Sequence, residues 1–111
     1  MWKTIPVNDK YEANDNGLIR NKETRELKNQ WHDPDGYLLV NLGQKLYRSH
    51  RIIALTFIPN PENKSQVNHK NFVRDDNRVK NLEWVTSKEN IRHAYSNHHR
   101  DKVVKNWAEK V

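Results

Sequence analysis

The stretch QVNHKNFVRDDNRVKNLEWVTSKENIRHA, residues 66–94, concentrates side chains able to do chemistry. It holds His69, a dense set of Asn residues including Asn68, Asn81 and Asn90, the adjacent acids Asp75 and Asp76, and several bases. An imidazole is neutral near pH 7 and can take up a proton. The apolar residues Val67, Leu82, Trp84 and Val85 frame these groups. A plain solvated loop would not need that frame, so the choice lies between loop decoration and one site.

One site requires elements that converge. QVNH reads as a short strand with Val67 inward, FVRDDNRVK as a polar loop, and NLEWV as a second strand. Period-two alternation puts Leu82 and Trp84 on one face. Thr86 and Glu89 have the spacing of a capping box, which opens a helix over about 87–96. Asn90 falls on its first turns, and Ile91, Ala94 and Tyr95 form its apolar side. Strand, loop, strand and helix together bring Asn68, His69 and Asn90 within reach of one another. Asn81 opens the second strand, where its amide can bond the loop backbone and hold it.

Upstream, residues 1–48 read as antiparallel β structure. Trp2, Ile5 and Val7 are spaced apolar residues, and Asn16-Gly17 marks a tight turn. A strand at 37–42, a turn at Gly43-Gln44 and a strand at 45–48 form a hairpin. Ser49 is placed to cap a helix over 50–57, with Ile52, Ile53, Leu55 and Phe57 as its apolar face. In the tail, Val103, Trp107 and Val111 make one helical stripe, with Lys102, Lys105 and Lys110 outside it.

Composition bounds the partners. In 111 residues, 34% are hydrophobic and 31% charged, so the core is thin and Trp2, Trp31 and Trp84 are expected in it. Twenty bases against fourteen acids leave a net charge of +6. That balance points to a polyanion, most simply nucleic acid. The lack of Cys removes disulfides and thiolate metal sites. The polar N-terminus and the absence of a long apolar run lead us to expect neither signal peptide nor membrane span. His93, His98 and His99 lack a partner at standard zinc spacing and read as solvated or phosphate-contacting.

His69, Asn81 and Asn90, spaced by twelve and nine within VNH, NLEWVT and ENIRHA, resemble the HNH nuclease family. The resemblance is to the phage and intron homing endonucleases with Asn in place of the final His. HRIIALTFIPNP is similar to the segment that leads into the motif there. WKTIP and YEANDNGLIRN resemble the NUMOD4 module often fused to such nucleases. The resemblance implies an α+β fold: a NUMOD4-like antiparallel β module (1–48), a ββα (His-Me finger) nuclease unit (49–97) and a basic helical tail (98–111). It implies His69 as general base, Asn81 as the residue orienting loop and imidazole, and Asn68 and Asn90 as ligands of a divalent ion, Mg²⁺ or Mn²⁺. The substrate would be double-stranded DNA, with phosphate contacts from Arg48, Arg51, Arg74, Arg78, Arg92, Arg100 and Lys102. A phage- or mobile-element-encoded protein in the cytoplasm of a bacterial host is the matching setting. No membrane partner and no small-molecule cofactor are expected, and monomer or dimer is left open.

Two departures stand out. Related enzymes often carry Asp just before the catalytic His, where this chain has Asn68. Their following loop usually has an Asp-Gly pair, where this chain has Asn71 and Phe72. Asp75, Asp76 and Glu83 are candidates for the missing charge. The departures favour one alternative, a DNA-binding protein that kept the fold and lost catalysis. A basic RNA-binding protein is a second alternative, resting on charge alone.

Overall fold

The computed structural model describes the backbone of residues 1–99 and the side chains of residues 1–94. Short apolar runs broken by Asn16-Gly17, Asp35-Gly36 and Leu42-Gly43 leave room only for short strands. β1 (Trp2–Thr4), β2 (Tyr11–Asn14) and β3 (Ile19–Asn21) form one antiparallel sheet. β4 (Gln30–His32), β5 (Leu38–Leu42) and β6 (Lys45–Arg48) form a second. α1 (Ser49–Phe57) follows β6 directly. β7 (Gln66–His69) pairs antiparallel with β8 (Leu82–Val85), and α2 (Ser87–His99) closes the described chain.

α1 is the hub. It packs against β5, β6, β7 and β8 and also reaches β1 and β2. Ile52 and Ile53 are fully buried in one cluster with Ile5, Ala13, Ile19, Val40, Leu42 and Leu82. The core therefore draws side chains from both the N-terminal β stretch and the ββα unit. Each large aliphatic side chain buried there contributes about 1.5–3 kcal/mol.

The capping box forms at the start of α2. The Thr86 amide donates to Glu89 Oε1 at 2.8 Å, and the Glu89 amide donates to Thr86 Oγ1 at 3.1 Å. Other local expectations fail for physical reasons. Because β6 runs into α1 without a loop, Arg48 occupies the cap position, and Ser49 lies inside the helix, fully buried. Asn81 ends a 3-10 turn (Val79–Asn81) and does not open β8. Trp31 is 37% exposed on β4 and Ile91 is 44% exposed on α2, since no element among the described residues covers either face. Trp2 is half-buried beneath the Arg20 guanidinium, 3.8 Å from the ring centre. Trp84 meets the expectation: it is buried, and its Nε1 donates to the Ile58 carbonyl at 2.9 Å. The expected tail helix with Trp107, together with Arg100, Lys102 and the Tyr95 side chain, lies outside the described residues.

Candidate active site

Strand alternation gives β7 two working faces. His69 turns toward α1 and β5, where its ring centre lies 5.0 Å from that of His50 and 5.9 Å from that of Tyr37. Asn68 turns toward α2 and meets His93. Both line one cavity at the end of β7, together with Asn90, Tyr37, Arg74 and His93.

His69 is buried and held by a residue from the loop between β7 and β8. Its Nε2–H donates to Asn77 Oδ1 at 2.7 Å. An amide oxygen only accepts, so this bond assigns the ring proton to Nε2 and leaves the lone pair on Nδ1. Burial pushes the His69 pKa below its ordinary value, and Arg74 adds to that, while the Asn77 bond, Asp76 and Asp75 pull it back. The ring is neutral at pH 7. His50 is pushed further, to about 3, by burial and then by His69, Arg48 and Arg51, against Asp33. Its neutral ring stacks on Tyr37 at 5.2 Å and forms the floor behind His69.

The loop that carries Asn77 is tied down at several points. Asn81 Oδ1 accepts from the Asn71 amide at 3.0 Å, and its Nδ2 donates to Asn71 Oδ1 at 2.9 Å and to the Asp76 carbonyl at 2.8 Å. Asp75 pairs with His32 at 2.9 Å. Asp76 is gripped by Arg78 through two bonds of 2.7 and 2.6 Å, which hold its carboxyl well below the usual range. The N-terminal sheet braces the same loop. The Val79 amide donates to the Asp15 carbonyl at 2.9 Å. Gly17, at φ +88, lies so close to Asn77 that a Cβ there would sit 2.9 Å from the Asn77 carbonyl oxygen. Phe72 adopts φ +67, a left-handed conformation that suits glycine and strains a bulky residue. Its ring stacks on His93 with centres 4.2 Å apart, a contact that offsets the strain.

The two candidate ligands share one feature. Asn68 Nδ2 donates to Glu83 Oε2 at 2.8 Å and faces His93 Nδ1 at 3.1 Å. Asn90 Nδ2 donates to Gln66 Oε1 at 3.0 Å. Each amide thus spends its nitrogen on a protein acceptor. Neither side-chain oxygen makes a hydrogen bond within the described residues. Two amide oxygens at one cavity fit a hard cation that keeps several waters and takes a phosphate oxygen. Within the described residues, no group of three or more His, Cys, Asp and Glu side chains is arranged to hold a metal ion.

The basic residues divide. Arg74 lines the His69 cavity, and Arg48 and Arg51 line an adjoining one with His50. Arg48 and Arg74 flank the Tyr37 ring at 5.0 and 5.1 Å. Arg78 is committed to Asp76, and Arg92 is exposed on α2. Sequence reasoning missed Asn77, His50 and Tyr37. His50 had a signal: it precedes Ile53 and Ala54 by helical spacing, on the buried face of α1. Asn77 had none, because loop geometry alone brings it to His69.

An HNH endonuclease family model matches residues 47–92, and a NUMOD4 motif model matches residues 1–43. The uncharacterized HNH endonuclease L247 of Acanthamoeba polyphaga mimivirus is 42% identical over 106 residues, 87% of this chain and 26% of that protein. DNA endonuclease I-HmuI of Bacillus phage SP01 is 32% identical over 101 residues, 86% of this chain and 58% of that protein. A solved structure describing DNA binding and cleavage by the HNH homing endonuclease I-HmuI superposes with a TM-score of 0.78 at 26% identity, covering 99% of this chain and 64% of that one. The chain thus spans between about a quarter and about three-fifths of the length of these curated relatives. Residues 47–92 thus carry an HNH endonuclease domain, with a NUMOD4 motif ahead of it at residues 1–43.

Proposed function

We propose that the chain is a divalent-metal-dependent DNA endonuclease that hydrolyses phosphodiester bonds in duplex DNA, with Mg²⁺ as the resident ion and Mn²⁺ as a substitute. One observation carries the reading: His69 is neutral, fixed through Nε2 and buried at a cavity that it shares with the amides of Asn68 and Asn90. The viral and phage relatives support a phage- or virus-encoded setting. No described helix is long and apolar enough to cross a membrane.

In this reading Nδ1 of His69 takes the proton of the attacking water. Asn77 keeps the ring oriented before and after that transfer, because Nε2–H donates to it in both states. Asn81 acts one step back, by holding the loop that carries Asn77. Arg48, Arg51 and Arg74 contact phosphates flanking the scissile bond. Arg92, exposed on α2, adds a further phosphate contact, and Arg78 does so only by releasing Asp76; Arg100 and Lys102, outside the described residues, are included for their charge alone. Asn68 and Asn90 would hold the divalent ion, which when bound would supply charge neutralisation for phosphodiester hydrolysis.

The neutral amide at position 68 favours one other reading, a DNA-binding protein without catalysis. Supercoiled plasmid incubated with the protein and Mg²⁺ or Mn²⁺, with and without EDTA, separates the two. Nicking that EDTA abolishes supports the nuclease. Retention of plasmid on the protein without nicking under either ion supports the alternative.

A further inference from the structure

The neutral amide at position 68 raises the question of where the site finds negative charge. Asp75 and Asp76 do not supply it, being turned to His32 and Arg78. Glu83 stands directly opposite Asn68 in the β7–β8 register, and the two side chains share a face. Glu83 is half-buried, and within the described residues it forms no ion pair. Its Oε2 accepts from Asn68 Nδ2 at 2.8 Å.

That bond does two things. A carboxylate only accepts, so it fixes which end of the Asn68 amide faces β8. The His93 ring nitrogen, 3.1 Å from the same Nδ2, agrees with that orientation. The Asn68 oxygen is then turned away from Glu83 and His93. The bond also leaves a partly desolvated negative charge one side chain behind a cavity lined by Asn68 and Asn90. Such a charge is costly without a cation.

We propose that Glu83 is a positioning residue for the divalent ion: it holds the Asn68 amide with its oxygen available to the ion and supplies, from behind, the charge that an amide at position 68 lacks. The inference rests on the endonuclease reading above. In effect the carboxylate has moved across the strand pair, from the position before His69 to the facing position on β8.

The arrangement predicts an unusual substitution pattern. Asn68→Asp alone sets two carboxylates face to face, which raises the pKa of the pair and destabilises the ion-free protein. Asn68→Asp with Glu83→Gln restores one amide and one carboxylate, with the hydrogen bond reversed.

The test titrates Mn²⁺ into DNA-free protein and follows the free-ion signal by electron paramagnetic resonance, beside thermal melts without metal. Glu83→Gln should weaken Mn²⁺ binding about tenfold, equivalent to about 1.4 kcal/mol. The double variant should bind within about threefold of wild type or tighter, and should melt above Asn68→Asp. A purely structural cross-strand bond would shift the melts and leave the Mn²⁺ affinity alone. The proposal is overturned if Glu83→Gln binds Mn²⁺ like wild type. It is equally overturned if the double variant is more than tenfold weaker than wild type, the comparison that decides should Glu83→Gln not fold. Plasmid nicking by the wild type, run alongside, keeps the two claims apart: metal-dependent nicking with unchanged Mn²⁺ affinity in Glu83→Gln sinks only this inference.

Discussion

Replacing Asn81 by Ala removes three hydrogen bonds at once and leaves the Asn71 amide and the Asp76 carbonyl without their partners. The site is partly buried, and each lost bond costs roughly 0.5–1.5 kcal/mol. The sum is about 1.5–4.5 kcal/mol, against a total stability of about 5–15 kcal/mol for a domain of this size. The backbone bond from the Lys70 amide to the Asn81 carbonyl, 2.8 Å, survives the substitution, so the protein should still fold. The loop between β7 and β8 then loses its inner anchor, Asn77 drifts, and His69 loses the partner that fixes its ring. Urea denaturation should report the stability loss, and single-turnover nicking should fall by more than tenfold while DNA affinity stays within about threefold. An Asn81→Ala protein that is destabilised but cleaves at the wild-type rate would break the link from Asn81 through Asn77 to His69.

Gly17→Ala places a Cβ against the Asn77 carbonyl in a left-handed conformation that costs an L-residue about 1–2 kcal/mol; nicking should drop with DNA binding retained, and unchanged nicking would show that the N-terminal sheet does not position the loop. His50 has a pKa of about 3 in the fold against about 6.5 unfolded, so the folded protein binds fewer protons between those values. Stability should be fully present above about pH 6.5 and fall as pH drops toward 3, with at most about 1.4 kcal/mol lost per pH unit from this group. Urea midpoints measured from pH 7.5 to 4 check this, and His50→Gln should flatten the profile. DNA affinity should fall steeply with salt, since counterion release accompanies each phosphate contact; a dissociation constant unchanged between low and moderate salt would remove the nucleic-acid partner.

Much of the frame is legible in the residues. The capping box at Thr86 and Glu89, the alternation in LEWV and the Gly-marked turns are local signals, and the elements they name form within a residue or two. His69, Asn68 and Asn90 come to one cavity because short strands and a capped helix leave few other arrangements. What the residues hide depends on distant contacts. Ser49 reads as a cap, yet β6 continues into α1 and buries it. Trp31 reads as core, yet its strand lies with one face open. The pairing of Asn77 with His69 joins a loop to a strand through geometry that no spacing encodes. The support of that loop by Gly17 joins residues far apart in the chain.

The central claim is that His69 is the base at a metal-dependent hydrolytic site, and one comparison tests it directly. His69→Ala and wild-type protein are incubated with supercoiled plasmid and Mg²⁺, and DNA affinity is measured on the same preparations. General-base catalysis contributes about 10²–10⁴-fold in rate, so nicking by His69→Ala should fall by that factor while the dissociation constant for DNA stays near the wild-type value. Nicking by His69→Ala at close to the wild-type rate would contradict the assignment.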